Sequence, residues 1–158
     1  VGTDFGAGSM TDSGYPRTVR EWRRGTSLAD SVEVFSGEQT DVSVSGYVSR
    51  HLGHSYEWRV RSPSFYTSVR TLRAISPSGE EGPWLSLEGA IPEDASVRQF
   101  ENQLLIRLRS PWKGHCAGTL LAAKVEDLAW DTTGGPGGAA PPAQAGRTPN
   151  LVPLFVPS

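Results

Sequence analysis

Two runs in the middle of the chain alternate apolar and polar side chains with a period of two, and this limits the fold more than any other feature. Val42, Val44 and Val48 are interleaved with Ser43, Ser45 and Tyr47, and Tyr56, Trp58 and Val60 with Glu57, Arg59 and Arg61. A strand sends successive side chains to opposite faces, so both runs suit half-buried strands. Shorter strands are predicted over residues 32–35, 69–75, 84–87, 104–108 and 119–125. Between them lie the turn formers Ser36-Gly37, Ser76-Pro77-Ser78-Gly79 and Glu81-Gly82-Pro83. Helical periodicity is weak except over residues 119–129, where Leu120, Leu121, Val125 and Leu128 could also line one face of a helix. The fold class read from this pattern is all-β.

Residues 2–25, GTDFGAGSMTDSGYPRTVREWRRG, join an irregular glycine-rich loop to a strand-like run ending in Trp22. Four further segments belong with it: residues 26–48 (TSLADSVEVFSGEQTDVSVSGYV), Glu57-Trp58-Arg59-Val60-Arg61, Ser64-Phe65-Tyr66-Thr67-Ser68, and Leu104-Leu105-Ile106-Arg107-Leu108-Arg109-Ser110 with Trp112. Together they resemble the N-terminal β-propeller of bacterial serine peptidases of the prolyl oligopeptidase family, over most of residues 1–133. The resemblance implies a partial β-propeller of antiparallel strands, and it favours a strand rather than a helix at 119–125. Length agrees: a four-stranded blade takes roughly 40–45 residues and a closed propeller about 4–8 blades, so the chain holds about three. On this reading the chain is a fragment. Residues 1–133 form part of the N-terminal propeller domain, 134–150 a linker, and 151–158 the start of the next propeller strand. Uncovered blade edges invite pairing with other chains, and the strand at 151–158 is expected to have little to pair against. Size alone also fits a complete sandwich or barrel.

Composition changes at Gly134. The segment GGPGGAAPPAQAGRTPN carries one charge, Arg147, and too few large apolar side chains to offset the entropy of ordering it, so a mobile loop or linker is expected. Apolar character returns in LVPLFVPS, where Leu154-Phe155 followed by Pro157 resembles the family's next strand. Elsewhere the chain reads as globular, with 37% hydrophobic and 20% charged residues and a net charge of -2. That balance gives no general attraction to nucleic acid or to an anionic membrane. The single cysteine, Cys116, cannot form an internal disulfide, which leans towards a cytoplasmic location. No apolar run approaches the roughly 20 residues needed to cross a bilayer.

Several residue groups carry side chains of types used in catalysis or metal binding. Gly114-His115-Cys116-Ala117-Gly118 fits the spacing of a hydrolase nucleophile elbow with cysteine in place of serine. An elbow needs a base, and neither His51 nor His54 is tied to Cys116 by the sequence. The expectation is therefore a small buried hydrophobe, and the family resemblance places Gly118-Thr119-Leu120-Leu121 at the start of a propeller strand. His51, His54, His115 and Cys116 are zinc-ligand types, but His51 and His54 flank Gly53 in a turn and the other two are adjacent residues, so solvated turn histidines are expected. Gly2, Gly6 and Gly8 lack the spacing of a phosphate or dinucleotide loop and read as a tight loop needing positive φ. No catalytic, cofactor-binding or metal residue is assigned.

Residues 8–16, GSMTDSGYP, are polar and bounded by glycine and proline. Ser9, Asp12 and Ser13 could face a substrate cavity or a partner domain; the favoured reading is that Asp12 and Ser13 bond backbone groups of their own turn. Arg17, Arg20, Arg23 and Arg24 stand near Glu21, Asp30 and Glu33 and read as a salt-laced strand surface. Trp22, Trp58, Trp84, Trp112 and Trp130 read as packing between blades rather than a sugar platform.

The resemblance implies a seven-bladed propeller that caps a C-terminal α/β-hydrolase domain of the same parent chain and limits access to short peptides. The parent would hydrolyse a peptide bond, after proline, by a Ser-Asp-His triad with an oxyanion hole. None of those positions maps onto this chain, which contains no Gly-x-Ser-x-Gly. Ala7, where the family often has proline, and the long proline-alanine linker depart from the family pattern. The function read from the sequence is thus a non-catalytic propeller portion, without cofactor, nucleic acid or membrane partner. A self-sufficient all-β module that binds carbohydrate or peptide is the alternative, with a cysteine hydrolase third.

Overall fold

β1 (Thr18–Glu21) and β2 (Val32–Ser36) pair antiparallel in a two-stranded sheet, joined through a single 3-10 turn at Leu28–Asp30 that Ser27 caps. The chain is seen as a computed structural model that describes residues 1–128, 130–131 and 150–157. A five-stranded sheet follows, built from β3 (Ser43–His51), β4 (His54–Ser62), β5 (Val69–Ile75), β6 (Leu85–Ser86) and, from later in the chain, β10 (Trp130–Asp131). Its order is β10-β6-β5-β4-β3. A four-stranded sheet holds β7 (Ser96–Phe100), β8 (Gln103–Arg107), β9 (Leu120–Lys124) and β11 (Val152–Phe155) in the order β11-β9-β8-β7, all antiparallel. One turn of helix, α1 (Val125–Leu128), follows β9. The fold is all-β, and among the described residues no sheet closes on itself.

The two alternating runs became β3 and β4. Their connection is the two-residue turn Leu52-Gly53, both at positive φ, the twist that suits a tight hairpin. Residues 119–129 combine the two readings the sequence left open: a strand as far as Lys124, then α1, in which Val125 and Leu128 turn inward one helical turn apart. The strand expected over 84–87 is shorter, Leu85–Ser86. β7 is a strand without an apolar run of its own and is fixed by its register on β8, Val97 opposite Ile106 and Gln99 opposite Leu104.

The chain forms two compact units, Val1–Tyr47 with Trp58–Arg70, and Val48–Glu57 with Thr71–Ser158. The first has a small apolar core of Phe35, Val44 and Trp58, with Ser9, Thr11, Thr18, Ser31 and Asp41 also buried. Gly46 lets β1 approach β3: a Cβ there would stand 3.0 Å from Val19 Cγ1. The second has the larger core. Leu104 and Ile106 of β8 lie opposite Ala123 and Leu121 of β9 on one face, and all four are buried, with Leu72, Leu87 and Leu108 equally enclosed. β8 shows the period-two burial of a strand with one packed side, while in β9 Ala122 is buried as well.

β11 sits on the edge of its sheet with Val152, Pro153, Leu154 and Phe155 all exposed. It was expected to have little to pair against; it pairs with β9, Val152 opposite Ala122, and a bulge then shifts the register before Phe155. The linker expected at 134–150 lies, Asn150 apart, outside the described residues. Among the four tryptophans whose side chains are described, only Trp58 is a core residue, 2% exposed, with Tyr47 stacked on it at 6.1 Å. Trp22 is exposed, Trp84 and Trp112 are half-buried, and the side chain of Trp130 lies outside the described residues. Among the described residues no helix is long and apolar enough to cross a membrane.

Candidate functional site

One end of the first unit gathers three loops, residues 9–15, 37–42 and 62–68, through hydrogen bonds that run from one to the next. The Ser62 carbonyl accepts the Val42 N–H at 2.8 Å, and the Val42 carbonyl accepts the Thr11 hydroxyl at 3.1 Å. The Asp12 N–H donates to the Gln39 carbonyl at 2.9 Å. Gln39 Nε2 returns to Asp12 Oδ1 and to the Met10 carbonyl, both at 3.0 Å.

Thr11, not Asp12 or Ser13, closes the turn within residues 11–15. Its carbonyl accepts the Gly14 N–H at 2.9 Å, its N–H donates to the Tyr15 carbonyl at 2.8 Å, and its hydroxyl accepts the Tyr15 N–H at 3.3 Å. Gly14 takes φ 78° there, which a side chain would resist. Asp12 bonds across to Gln39 instead of within its own turn, and Ser13 is exposed. Ser9 is buried: its hydroxyl donates to the Gly6 carbonyl at 2.7 Å and accepts the Phe5 N–H at 2.8 Å. Asp4 Oδ1 accepts the Gly6 N–H at 2.8 Å, so the glycine loop folds round its own carboxylate. Gly6 and Gly8 have positive φ, while Gly2 does not; a Cβ added there would stand 3.0 Å from Pro16 Cβ.

Behind the loops lies a charge pair between buried Asp41 and half-buried Arg61, and Arg61 also reaches Glu38 at 3.8 Å. Arg17 braces two loops by donating to the Gly8 carbonyl at 2.6 Å and the Gly37 carbonyl at 3.1 Å. Arg20 donates to the Ser31 carbonyl at 2.6 Å and lies over the Phe5 ring at 4.5 Å. The salt-laced surface expected for Arg17, Arg20, Arg23 and Arg24 is therefore not what forms: among the described residues none of the four makes an ion pair. Carbonyls and a ring face take the place of carboxylates.

The feature the sequence did not single out as a site is the tip of residues 62–68. Phe65 is 75% exposed and Tyr66 69%, the largest exposure of any aromatic residues among the described residues. The loop that carries them is stiffened by Ser64, whose hydroxyl accepts the Tyr66 and Thr67 N–H groups at 3.1 Å each and meets the Thr67 hydroxyl at 2.7 Å. A serine two and three residues ahead of its donors is a side-chain turn, so the local signal was present in Ser64-Phe65-Tyr66-Thr67. With Tyr15 also exposed, the loop end offers aromatic faces beside polar groups that are already bonded to one another. Such a surface can bind; its one serine beside a carboxylate, Ser9 at 3.2 Å from Asp4 Oδ1, is buried and also held by the Gly6 carbonyl.

The other candidates are dispersed. Trp112 and His115 bridge one another around a Lys113-Gly114 turn at positive φ, so Gly114 belongs to a tiny hairpin. After Cys116 the chain enters β9, a strand rather than the helix an elbow requires. Cys116 is exposed, contrary to the buried thiol expected, and its Sγ lies 3.4 Å from Thr119 Oγ1. His51 instead contacts the β7–β8 turn, where Nδ1 accepts the Glu101 N–H at 3.2 Å. Among the described residues no group of three or more His, Cys, Asp or Glu is arranged to hold a metal ion.

No protein-family model matches the sequence, and no curated protein matches it. A solved structure, that of a post-proline cleaving enzyme from Rickettsia typhi, is similar to this chain with a TM-score of 0.66 and 21% sequence identity. The similarity covers 98% of this chain and 21% of that one, so the chain spans about a fifth of that protein's length. At this identity the likeness is one of fold.

Proposed function

We propose that this chain is a non-catalytic portion of a prolyl oligopeptidase-like serine peptidase, about three blades of a propeller that gates access of short peptides to a C-terminal α/β-hydrolase domain. The observation that carries the reading is the likeness of fold over 98% of the chain to part of a post-proline cleaving enzyme. Consecutive antiparallel strands in β7-β8-β9 and β3-β4-β5-β6 have the meander order of propeller blades. In this reading the loop end of the first unit, with Phe65, Tyr66 and Tyr15, meets the peptide or the hydrolase domain. The parent acts in the cytoplasm and engages neither nucleic acid nor membrane.

The test is a peptidase assay on a short substrate with proline before the scissile bond, run on this chain and on the full reading frame that encodes it. The reading expects no turnover by the chain alone and turnover by the full-length product, with KM raised when Phe65 and Tyr66 are both replaced by alanine. Turnover by the isolated chain that is lost in Cys116→Ala would overturn it. One observation favours a second reading: Trp22 is 39% exposed, as a carbohydrate-stacking surface would need. Quenching of Trp22 fluorescence that a sugar prevents would support that stand-alone binding module.

A further inference from the structure

In the second unit two hairpin tips are joined through an imidazole. His51 and His54 bracket the turn between β3 and β4, and Phe100 and Gln103 bracket the Glu101-Asn102 turn between β7 and β8. Glu101 lies at φ 54°, a left-handed conformation that strains a residue with a Cβ. Side chains hold both of its backbone groups. Its N–H donates to His51 Nδ1 at 3.2 Å, and its carbonyl accepts Gln99 Nε2 at 3.0 Å. Gln99 Nε2 also donates to the His54 carbonyl at 3.3 Å, and the His51 ring lies against Phe100 at 4.7 Å.

A backbone N–H can donate only to a bare ring nitrogen, so the imidazole in this contact is neutral, with its proton on Nε2. A second proton would set a donor on Nδ1 against the Glu101 N–H. The Phe100 contact tolerates a cation, because a ring face attracts positive charge. What is lost is the acceptor, and a strained residue keeps its conformation only while its surroundings dictate it.

The ionisable groups on the surrounding elements include Arg50, His54 and Glu57 on the β3–β4 hairpin, Arg98, Glu101 and Arg107 on β7–β8, and Lys124 and Glu126 where Val125 bonds the Asn102 carbonyl; Glu57 is taken by Arg73. Lys124 and Glu126 pair with each other at 3.5 Å. Among the described residues none of these groups forms an ion pair with His51.

We propose that His51 is a pH-sensitive latch on the β7–β8 turn: the neutral imidazole fixes Glu101 in its left-handed conformation, and the protonated imidazole releases it. The latch does not depend on the peptidase reading.

The test is amide hydrogen exchange and nitrogen-proton NMR on the 158-residue chain between about pH 8 and pH 5, where imidazoles in general titrate. Protection of the Glu101 amide, corrected for intrinsic exchange, is expected to fall roughly fivefold as His51 takes up its proton. His51→Asn, whose Oδ1 offers an acceptor that does not titrate, should hold protection flat across the range. Glu101→Gln, which removes the carboxylate of the latched residue itself, should leave the transition in place. Constant Glu101 protection while His51 titrates overturns the proposal, as does the same loss in His51→Asn. The wild-type titration decides by itself if the variant does not fold.

Discussion

Arg61 holds the Asp41 carboxylate with two guanidinium nitrogens, Nε at 2.8 Å from Oδ2 and Nη2 at 3.2 Å from Oδ1. Asp41 is 2% exposed and its Oδ2 also accepts the Glu38 N–H at 2.8 Å, so the carboxylate is enclosed and depends on these donors. Removing one partner of a buried pair strands the other charge. The Arg61 side chain keeps 32% of its exposure, which softens the loss. Arg61→Met should cost about 2–4 kcal/mol. The double variant with Asp41→Asn should lose less than the sum of the two singles, and a denaturation cycle on the four proteins measures the difference. Additivity within about 0.5 kcal/mol would mean that the pair does not hold these loops.

Gly37 tests the same region sterically. A Cβ there would collide with Val44 Cγ2 and Asp41 Oδ2, one a core side chain and the other the buried carboxylate. Gly37→Ala is therefore expected to destabilise by about 1–3 kcal/mol, the usual range for overpacking. Gly79 makes the contrast: its Cβ would meet open space, but its φ is 88°, so Gly79→Ala pays only for backbone strain, about 1 kcal/mol. Thermal denaturation of both variants ranks them, and a larger shift for Gly79→Ala would contradict the packing described around Val44.

How far the chain was legible follows from the range of each interaction. Val44, Tyr56 and Trp58 were visible because period two is a local property, and all three are buried. β7 was not, since Ser96-Val97-Arg98-Gln99-Phe100 has one aliphatic residue and owes its strand to pairing with β8. In the loop end, turn chemistry pointed to Asp12 and Ser13, but Thr11 closes the turn and reaches Val42, 31 residues on. Asp12 is taken by Gln39, 27 residues away. Spacing within one loop does not encode such partners. Cys116 was read from the usual burial of a lone cysteine, and the Lys113-Gly114 turn carries it to the surface instead.

That exposure makes the thiol a probe. Cys116 should react with a disulfide reagent in the folded chain, within about tenfold of its rate in denaturant, because an exposed thiol does not await unfolding. Cys116→Ala should change stability by no more than about 0.5 kcal/mol, as surface substitutions usually do. The thiol and Thr119 Oγ1 are 3.4 Å apart, a weak contact at most. Protection of the native thiol by a hundredfold or more would return Cys116 to the interior.

The last expectation concerns alkaline pH. Burial raises the Tyr56 phenol above its ordinary value of 10.0, and the Glu126 carboxylate adds to the rise by repelling the phenolate. A group that ionises later when folded than when unfolded gives stability that is fully present below the unfolded value and is lost as pH climbs through the folded one. Unfolding free energy should therefore be flat with respect to Tyr56 below about pH 10 and decline above it. Tyr56→Phe should remove that part of the decline, and ultraviolet titration of the variant should lose one tyrosinate transition above pH 10. Glu126→Gln should bring the Tyr56 transition only part of the way back, since burial is the larger cause. A full return in Glu126→Gln would show that charge rather than burial governs Tyr56, and that α1 bears on β4 chiefly through that carboxylate.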